Sequence, residues 1–242
     1  MERTNSSMND VIGGLPSGFS DYYPELARYG GLTAAFLATA AEHGIDLGDE
    51  LRAPEPDWTP TAAQFDSPRG TMWVNLWLEE RGFSIKLGNS RGGHPWAEGA
   101  TPDIAEAAGV LAAWKHGATL TELSERFPFM TYTRLSQGYE DGNPEAVMWD
   151  LQIGDPKFEE YRDLLIALRA EPQLARMFPF FSMWTLRLAK DAYREEPGEL
   201  LIRQQDDGSY LLWSSSETEE DQREFRRLDD LVAAAAALRN TL

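Results

Sequence analysis

Aromatic and polar side chains alternate along one predicted strand, where they are suited to binding a ligand. Trp73, Asn75 and Trp77 share one face of this strand, opposite a face of methionine, valine and leucine residues. Lys86 lies on the corresponding face of the next predicted strand. Two indoles on the second face of a strand must either contact water or be covered. The pattern indicates an aromatic wall of a ligand cleft or a partner surface, or alternatively indoles covered by the first helix or by a second set of strands.

Hydroxyl and cationic side chains occupy the matching face of that second set of strands. Thr185 and Arg187 alternate with apolar residues, and Arg203 lies on a neighbouring strand. An arginine here can hold a carboxylate, sulfate or phosphate group with two hydrogen bonds, or it can pair with an acidic residue such as Glu79 or Glu199. If the two faces meet or lie side by side, we expect a cleft for a small anionic or amino-acid-like ligand. Its expected ligand-binding residues are Trp73, Asn75, Trp77, Lys86, Thr185, Arg187 and Arg203.

The histidines are the remaining candidates for proton transfer. His94 lies in a glycine-rich loop with a cation and an aromatic ring, and it is the candidate general base; the alternative is a solvated loop histidine without a role. His116 ends the buried stripe of a predicted helix, where it meets the helix dipole favourably, and we interpret it as structural. No other catalytic residue is indicated. The absence of cysteine excludes disulfides, thiolate nucleophiles and cysteine-ligated zinc.

Motifs for cofactors and for common catalytic machinery are missing. Gly30-Gly31 and Gly92-Gly93 do not form a phosphate loop, and no serine lies in a Gly-x-Ser-x-Gly turn. We therefore expect no metal and no cofactor, and the sequence leaves open whether the protein is an enzyme. Catalysis, if present, would be non-redox acid–base chemistry or displacement of an anionic leaving group.

The net charge of −18, from 40 acidic and 22 basic residues, limits the possible partners. Such a chain repels nucleic acids and anionic membrane surfaces, and it suits a small molecule or a basic or neutral protein subunit. No apolar run approaches the ~20 residues that span a bilayer. The first residues do not resemble a signal peptide. We expect a disordered tail over 1–19, a cytoplasmic location and no membrane or nucleic-acid partner; the oligomeric state stays open.

The spacing of apolar residues predicts an α+β fold. We expect two three-stranded antiparallel β-meanders, each followed by a helix, with an N-terminal helix and a helical middle segment. Residues 20–242 should form one compact unit: a first half over 60–127, a helical middle over 128–180 and a second half over 181–240.

The expected bounds of the elements follow from caps, turns and periodicity. The strands are 61–65, 72–78, 83–87, 183–188, 200–204 and 210–213, with 88–99 as a loop. The helices are 21–43, 101–117, 119–126, 155–169, 171–178 and 216–239. Trp114 should lie on a buried stripe of its helix, and Trp184 should face the core with Leu186 and Leu188.

Several apolar segments in the middle and second half of the chain are distinctive. The run Met177-Phe178-Pro179-Phe180-Phe181-Ser182-Met183-Trp184 is accompanied by three earlier stretches, at 94–99, 113–117 and 123–129. Over residues 24–238 these features resemble an uncharacterised actinobacterial family whose name refers to natural-product biosynthesis. The sequence departs from that family in its last helix. The family carries no established catalytic residues.

The resemblance implies a role in bacterial specialised metabolism. We expect an accessory or tailoring protein that binds a small polar, anionic or amino-acid-like intermediate. Two alternatives stay open: a non-catalytic subunit of a heteromeric biosynthetic enzyme, and an acidic immunity-type protein that neutralises a basic toxin.

Overall fold

The computed structural model of the protein describes residues 19–47, 51–52, 61–88, 95–192, 198–218 and 221–242. These residues fall into two compact units, within 1–133 and within 134–242. Each unit has one antiparallel sheet and its own hydrophobic core with helices, which confirms the predicted α+β class. Both sheets contain more strands than the expected three. Among the described residues, no helix has the length and apolar character needed to cross a bilayer.

The N-terminal helix is broken into three pieces rather than continuous over 21–43. They are α1 (Phe19–Tyr22), α2 (Pro24–Tyr29) and α3 (Leu32–His43). The break between α2 and α3 falls at Gly30 and Gly31, whose φ angles of 83° and 128° lie in the region that favours glycine. The two glycines therefore end α2 and redirect the chain into α3.

The sheet of the first unit is an antiparallel meander of six strands. In order across the sheet they are β1 (Leu51–Arg52), β2 (Ala62–Ser67), β3 (Gly70–Leu76), β4 (Phe83–Leu87), β5 (Ala97–Thr101) and β6 (Met130–Thr131). The three expected strands are β2, β3 and β4. The prediction of a loop over 88–99 is wrong at its C-terminal end, because Ala97 already pairs with Leu87 and begins β5.

The core of the first unit lies between this sheet and the helices. Met72, Val74 and Ile85 are buried with Phe36 of α3 and with Trp114 of α4 (Ile104–Lys115). The burial of Trp114 confirms its predicted place on the inner stripe. Helix α5 (Leu120–Arg126) begins with the expected capping box, in which the side chains of Thr119 and Glu122 each bond the other's backbone N–H.

The second unit begins with helices and continues into a five-stranded antiparallel sheet. Its helices are α6 (Arg134–Glu140), α7 (Pro144–Gly154), α8 (Arg162–Ala170) and α9 (Leu228–Arg239), with 3₁₀ turns at Pro156–Tyr161 and Leu174–Arg176. The strands, in chain order, are β7 (Phe178–Ser182), β8 (Thr185–Ala189), β9 (Glu199–Gln204), β10 (Tyr210–Ser214) and β11 (Arg223–Phe225). Leu186, Leu188 and Ile202 face its core with Trp149 and Leu231.

Three expectations for the second unit are wrong. Residue 178 is not the end of a helix, because Phe178 begins β7 and pairs with Ala189. The last helix does not start at residue 216, because Arg223–Phe225 pairs with β10 before α9 begins at Leu228. Trp184 does not face the core: it lies in the two-residue turn between β7 and β8 and is 58% exposed.

Candidate functional site

The predicted aromatic residues of the first unit lie on the outer face of its sheet. Trp73 is 38% exposed and Trp77 is 41% exposed, and Asn75 between them is also exposed. The alternative in which the first helix covers them is wrong, because α3 packs on the opposite face, where Phe36 meets Phe83 with ring centres 5.9 Å apart. Within their own unit these indoles are therefore partly exposed, and the alternative in which the second set of strands covers them stays a prediction.

Neighbouring strands add polar side chains beside Trp73. In the antiparallel register Trp73 lies between Gln64 on β2 and Lys86 on β4, and Lys86 lies opposite Glu98 on β5. Within the described part of the chain, neither the Lys86 ammonium nor the Glu98 carboxylate has a hydrogen bond or an ion pair. We call Trp73, Asn75, Trp77, Lys86 and Glu98 the open face.

The hairpin that carries Trp77 is held from the core side by Tyr23. The Tyr23 hydroxyl lies 2.9–3.0 Å from the carbonyl oxygens of Trp77, Glu80 and Gly82, and it accepts a hydrogen bond from the Gly82 N–H at 2.8 Å. Burial raises the pKa of this hydroxyl. The Trp77 ring lies so close to Gly82 that a Cβ there would be 2.5 Å from it. The indole is thus fixed in place although much of it is exposed.

The predicted cations of the second unit already have partners there. Arg187 Nε donates to Glu199 Oε2 at 2.6 Å, and its guanidinium lies 5.4 Å from the centre of the Phe180 ring. Arg203 donates to the Thr185 hydroxyl through Nε and Nη2, at 3.3 Å and 3.2 Å. For Arg187 the structure therefore matches the alternative of pairing with an acidic residue.

The expected ligand-binding residues are thus divided between the units. Trp73, Asn75, Trp77 and Lys86 belong to the first unit, and Thr185, Arg187 and Arg203 to the second. A cleft formed by both sets stays a prediction. The candidate base His94 lies outside the described residues.

A cavity of about 650 Å³ lies in the first unit, at a place that the sequence did not single out. Residues at or just beyond the ends of α3, α4 and α5 line it, with small apolar residues of α4 between them. We call it the helix-end cavity. Its polar lining residues are His43, Asp46, Glu106, His116 and Arg126.

Left-handed glycines shape the walls of the helix-end cavity. Gly44 follows His43 with a φ of 65°, and Gly117 follows His116 with a φ of 88°. Each allows its helix to stop abruptly after a histidine. Lys115 Nζ then donates to the carbonyl oxygen of Leu47 at 3.1 Å, which ties the segment carrying Asp46 to α4.

His116 has a defined hydrogen-bonding state at this cavity. Its Nδ1 lies 2.7 Å from the carbonyl oxygen of Ala112, which can only accept, so Nδ1 carries a hydrogen. In the neutral ring Nε2 is then the proton acceptor, and it lies 3.9 Å from Asp46 Oδ2. The predicted position of His116 at a helix end is correct, but its exposed side chain also lines a cavity.

Charges around the helix-end cavity are of both signs. The carboxylates of Asp46 and Glu106 and the C-terminal ends of α3 and α4 contribute negative potential. Glu106 Oε2 accepts a hydrogen bond from the Thr101 hydroxyl at 2.5 Å. Arg126 contributes a guanidinium that forms no ion pair with any described residue and lies 5.1 Å from the centre of the Phe127 ring. Across the described ranges no group of three or more histidine or acidic residues could hold a metal ion.

Comparison of the chain with protein-family models, with curated protein sequences and with solved structures finds no match. The resemblance to the actinobacterial family therefore stays a prediction.

Proposed function

We propose that this protein binds a small zwitterionic, amino-acid-like molecule in the helix-end cavity, as an accessory or tailoring protein of natural-product biosynthesis. The observation that carries the proposal is His116, whose Nε2 is left as a proton acceptor facing Asp46 at the cavity. The biosynthetic context comes from the family resemblance alone.

The volume and the lining of the helix-end cavity suit a small zwitterionic molecule. A volume of about 650 Å³ falls within the range of small-molecule sites. Such sites combine an apolar lining with a few polar groups that orient the ligand. Here Ala112 and Phe127 are among the apolar residues, and the charged groups surround them.

A zwitterion would satisfy both signs of charge. Arg126 can bind a carboxylate through two parallel hydrogen bonds. Asp46 can receive an ammonium group, which the negative ends of α3 and α4 also favour. A ligand with only one of these groups would leave part of the site unmatched.

The same geometry allows acid–base chemistry. His116 Nε2 can remove a proton from the bound molecule, while the Ala112 carbonyl keeps the ring oriented through Nδ1. The Asp46 carboxylate, 3.9 Å away, would stabilise the imidazolium that results. Such a step needs no cofactor.

Binding can be tested on protein labelled with ¹⁵N at its three histidines. L-Alanine, L-serine and L-glutamate are each titrated beside the matching amide and the matching decarboxylated amine. We expect an amino acid to shift the His116 imidazole signals, which His116→Gln identifies by their loss. Arg126→Gln should weaken binding of the amino acid about ten-fold, the loss of a charged hydrogen bond, and leave the amine unchanged.

The control is Arg176→Gln, which makes the same change of charge in the second unit. It should leave every affinity unchanged. The proposal fails if no amino acid moves the His116 signals, or if Arg126→Gln and Arg176→Gln have the same effect.

A second candidate, the non-catalytic subunit of a heteromeric enzyme, is favoured by one exposed turn. Met183 is 93% exposed and Trp184 is 58% exposed, and both have a left-handed backbone, with φ angles of 49° and 62°. Bulky residues rarely adopt this conformation, and such strain often marks a functional position. Methionine and tryptophan are also enriched at protein interfaces. Native mass spectrometry with the products of neighbouring genes would test it, with Met183→Asn/Trp184→Gly expected to abolish the complex.

A further inference from the structure

The open face of the first sheet presents exposed binding groups of complementary kinds. Trp73 and Trp77 offer exposed rings, and Asn75 lies between them along the strand. Lys86 and Glu98 are cross-strand neighbours of opposite charge, yet neither is paired with any residue that the structure describes. We infer that this face binds a neutral oligosaccharide chain laid along β3, stacked on the two indoles.

The positions of the two tryptophans along the chain suit an extended ligand. Trp73 and Trp77 are four positions apart in the sequence, so their Cα atoms lie about 13 Å apart at a rise of ~3.3 Å per residue. The backbone N–H of Trp77 donates a hydrogen bond to the carbonyl oxygen of Gly82 at 3.0 Å, so the pairing of the hairpin continues past the end of β3. A chain of a few pyranose rings covers that distance, whereas a single amino acid does not.

Stacking on sugar rings suits exposed tryptophan. An indole presents a flat apolar surface with a negative face, and the C–H groups of a pyranose ring are apolar and slightly positive. Trp77 is held against the Gly82 backbone, so little of its freedom remains to be lost on binding. The ring that a ligand would stack on is already in place.

The charges favour a ligand that is itself uncharged. The Lys86 ammonium only donates hydrogen bonds, the Glu98 carboxylate only accepts them, and the Asn75 amide does both. An anion would be attracted by Lys86 and repelled by Glu98, and a cation would be attracted by Glu98 and repelled by Lys86. Hydroxyl groups match all three because each can donate and accept. The net charge of −18 further disfavours an anionic polysaccharide.

Partly exposed side chains continue beside the open face on the neighbouring strands, which leaves room for a long ligand. Gln64 beside Trp73 is only half-buried, and Thr131 opposite Glu98 is exposed. The helix-end cavity, in contrast, is lined by other residues and holds a compact molecule in the function proposed above. The two sites are independent, so failure of one leaves the other standing.

The inference is tested with neutral hexasaccharides of β-1,4-glucose, α-1,4-glucose, β-1,4-N-acetylglucosamine and β-1,4-mannose, beside glucose and a heparin hexasaccharide. The readout is the ¹H–¹⁵N spectrum of the indole groups of the eight tryptophans. At least one neutral hexasaccharide should shift the Trp73 and Trp77 signals, and glucose should bind at least ten-fold more weakly. Trp73→Ala should lower the affinity about ten-fold, as loss of an aromatic stacking partner predicts.

Trp184→Ala is the matched control, because it removes an exposed tryptophan of the other unit. It should leave the affinity unchanged, and all variants are compared only after their melting temperatures show that they are folded. The inference is overturned if no neutral hexasaccharide moves the Trp73 signal at millimolar concentration. It is also overturned if heparin binds more tightly than every neutral chain, or if Trp184→Ala weakens binding as much as Trp73→Ala. A Trp73 signal that responds only to protein concentration would mark the face as a contact between copies of the chain.

Discussion

The outer faces of the two sheets carry similar residues in opposite states. In the first unit, Trp73 is 38% exposed and Lys86 has no partner among the residues that the structure describes. In the second unit, Trp213 on β10 is only 7% exposed and Arg187 is bonded to Glu199. One face has its polar and aromatic groups satisfied internally, while the other leaves them available. Residue type alone therefore does not distinguish a binding face from a structural one, but the state of its partners does.

Contacts between neighbouring strands explain the state of the second face. Arg203 lies across the Trp213 ring, with its guanidinium 5.5 Å from the ring centre. Arg187 lies in the same way over Phe180, and Glu199 is itself buried. Long arginine side chains thus cover aromatic rings with their stems and satisfy their charged ends within the sheet. Lys86 has no such arrangement with Trp73.

The largest expected difference between the faces is in the tryptophans. Trp213→Ala should lower the free energy of unfolding by about 3–5 kcal/mol, because it removes a buried aromatic ring. Trp73→Ala should lower it by less than about 1 kcal/mol, since much of that ring is exposed already. Urea unfolding of the two variants measures both values. Equal losses would show that Trp73 is a core residue and that the open face is not open.

Next in size is the difference between the cations. Arg187→Ala should cost about 1.5–3 kcal/mol of stability, the value of a charged hydrogen bond, because it leaves the buried Glu199 without its partner. Lys86→Ala should change stability by no more than about 0.5 kcal/mol. Thermal melting followed by circular dichroism compares them. If Arg187→Ala melts like the wild type, the arginine is free for a ligand, which is one of the two alternatives that the sequence left open.

Tyr23 extends the comparison to alkaline pH. Its raised pKa means that the neutral hydroxyl is preferred in the folded state. Its contribution to stability is therefore complete below the ordinary tyrosine pKa of about 10 and is lost as the pH rises from there through the folded-state pKa. Tyr23→Phe should cost about 1–2 kcal/mol at neutral pH through the lost hydrogen bonds. It should also make the loss of stability above about pH 10 shallower.

The control for that change is Tyr161→Phe. Burial also raises the pKa of Tyr161, which belongs to the second unit. Urea titrations at neutral and alkaline pH measure the loss of stability on raising the pH. Each variant should remove only the part of this loss that its own hydroxyl causes. If Tyr23→Phe leaves the loss of stability at alkaline pH unchanged, burial does not raise the pKa of the Tyr23 hydroxyl.

Much of the open face could be predicted because strands have a simple period. Alternation over 72–78 placed Trp73 and Asn75 on the face away from the core, and the structure confirms it. Capping chemistry likewise located the start of α5 at Thr119. Both signals are local, since they depend on residues that are close in the sequence.

The features that escaped prediction depend on distant contacts. The run Phe178–Phe181 is apolar without alternation, so it fits a helix end or a buried strand equally well, and only its pairing with β8 decides. The helix-end cavity brings together the ends of three helices, which no spacing in the sequence connects. One signal was available: His43 and His116 each stand directly before a glycine at the end of a predicted helix.

The smallest expected effect concerns the turn between β7 and β8. The exposed tryptophans of the first sheet lie on its face, whereas the second sheet exposes Trp184 at this turn. A two-residue turn with both φ angles positive favours Asn-Gly, and a left-handed conformation costs other residues roughly 1–2 kcal/mol each. The substitution Trp184→Gly removes this cost, but the greater freedom of glycine in the unfolded chain offsets about 0.5–1 kcal/mol of the gain.

Met183→Asn/Trp184→Gly should therefore stabilise the protein by about 1 kcal/mol and raise its melting temperature by ~2–4 °C. Trp73→Ala, which relieves no backbone strain, should bring no such gain. A fall in melting temperature would contradict the prediction. It would mean that the Trp184 ring, which lies 5.7 Å from the Lys157 ammonium, contributes more through this contact than its backbone conformation costs. The sequence-based placement of Trp184 against the core predicts a much larger loss of several kcal/mol, so the sign and size of one measurement separate all three interpretations.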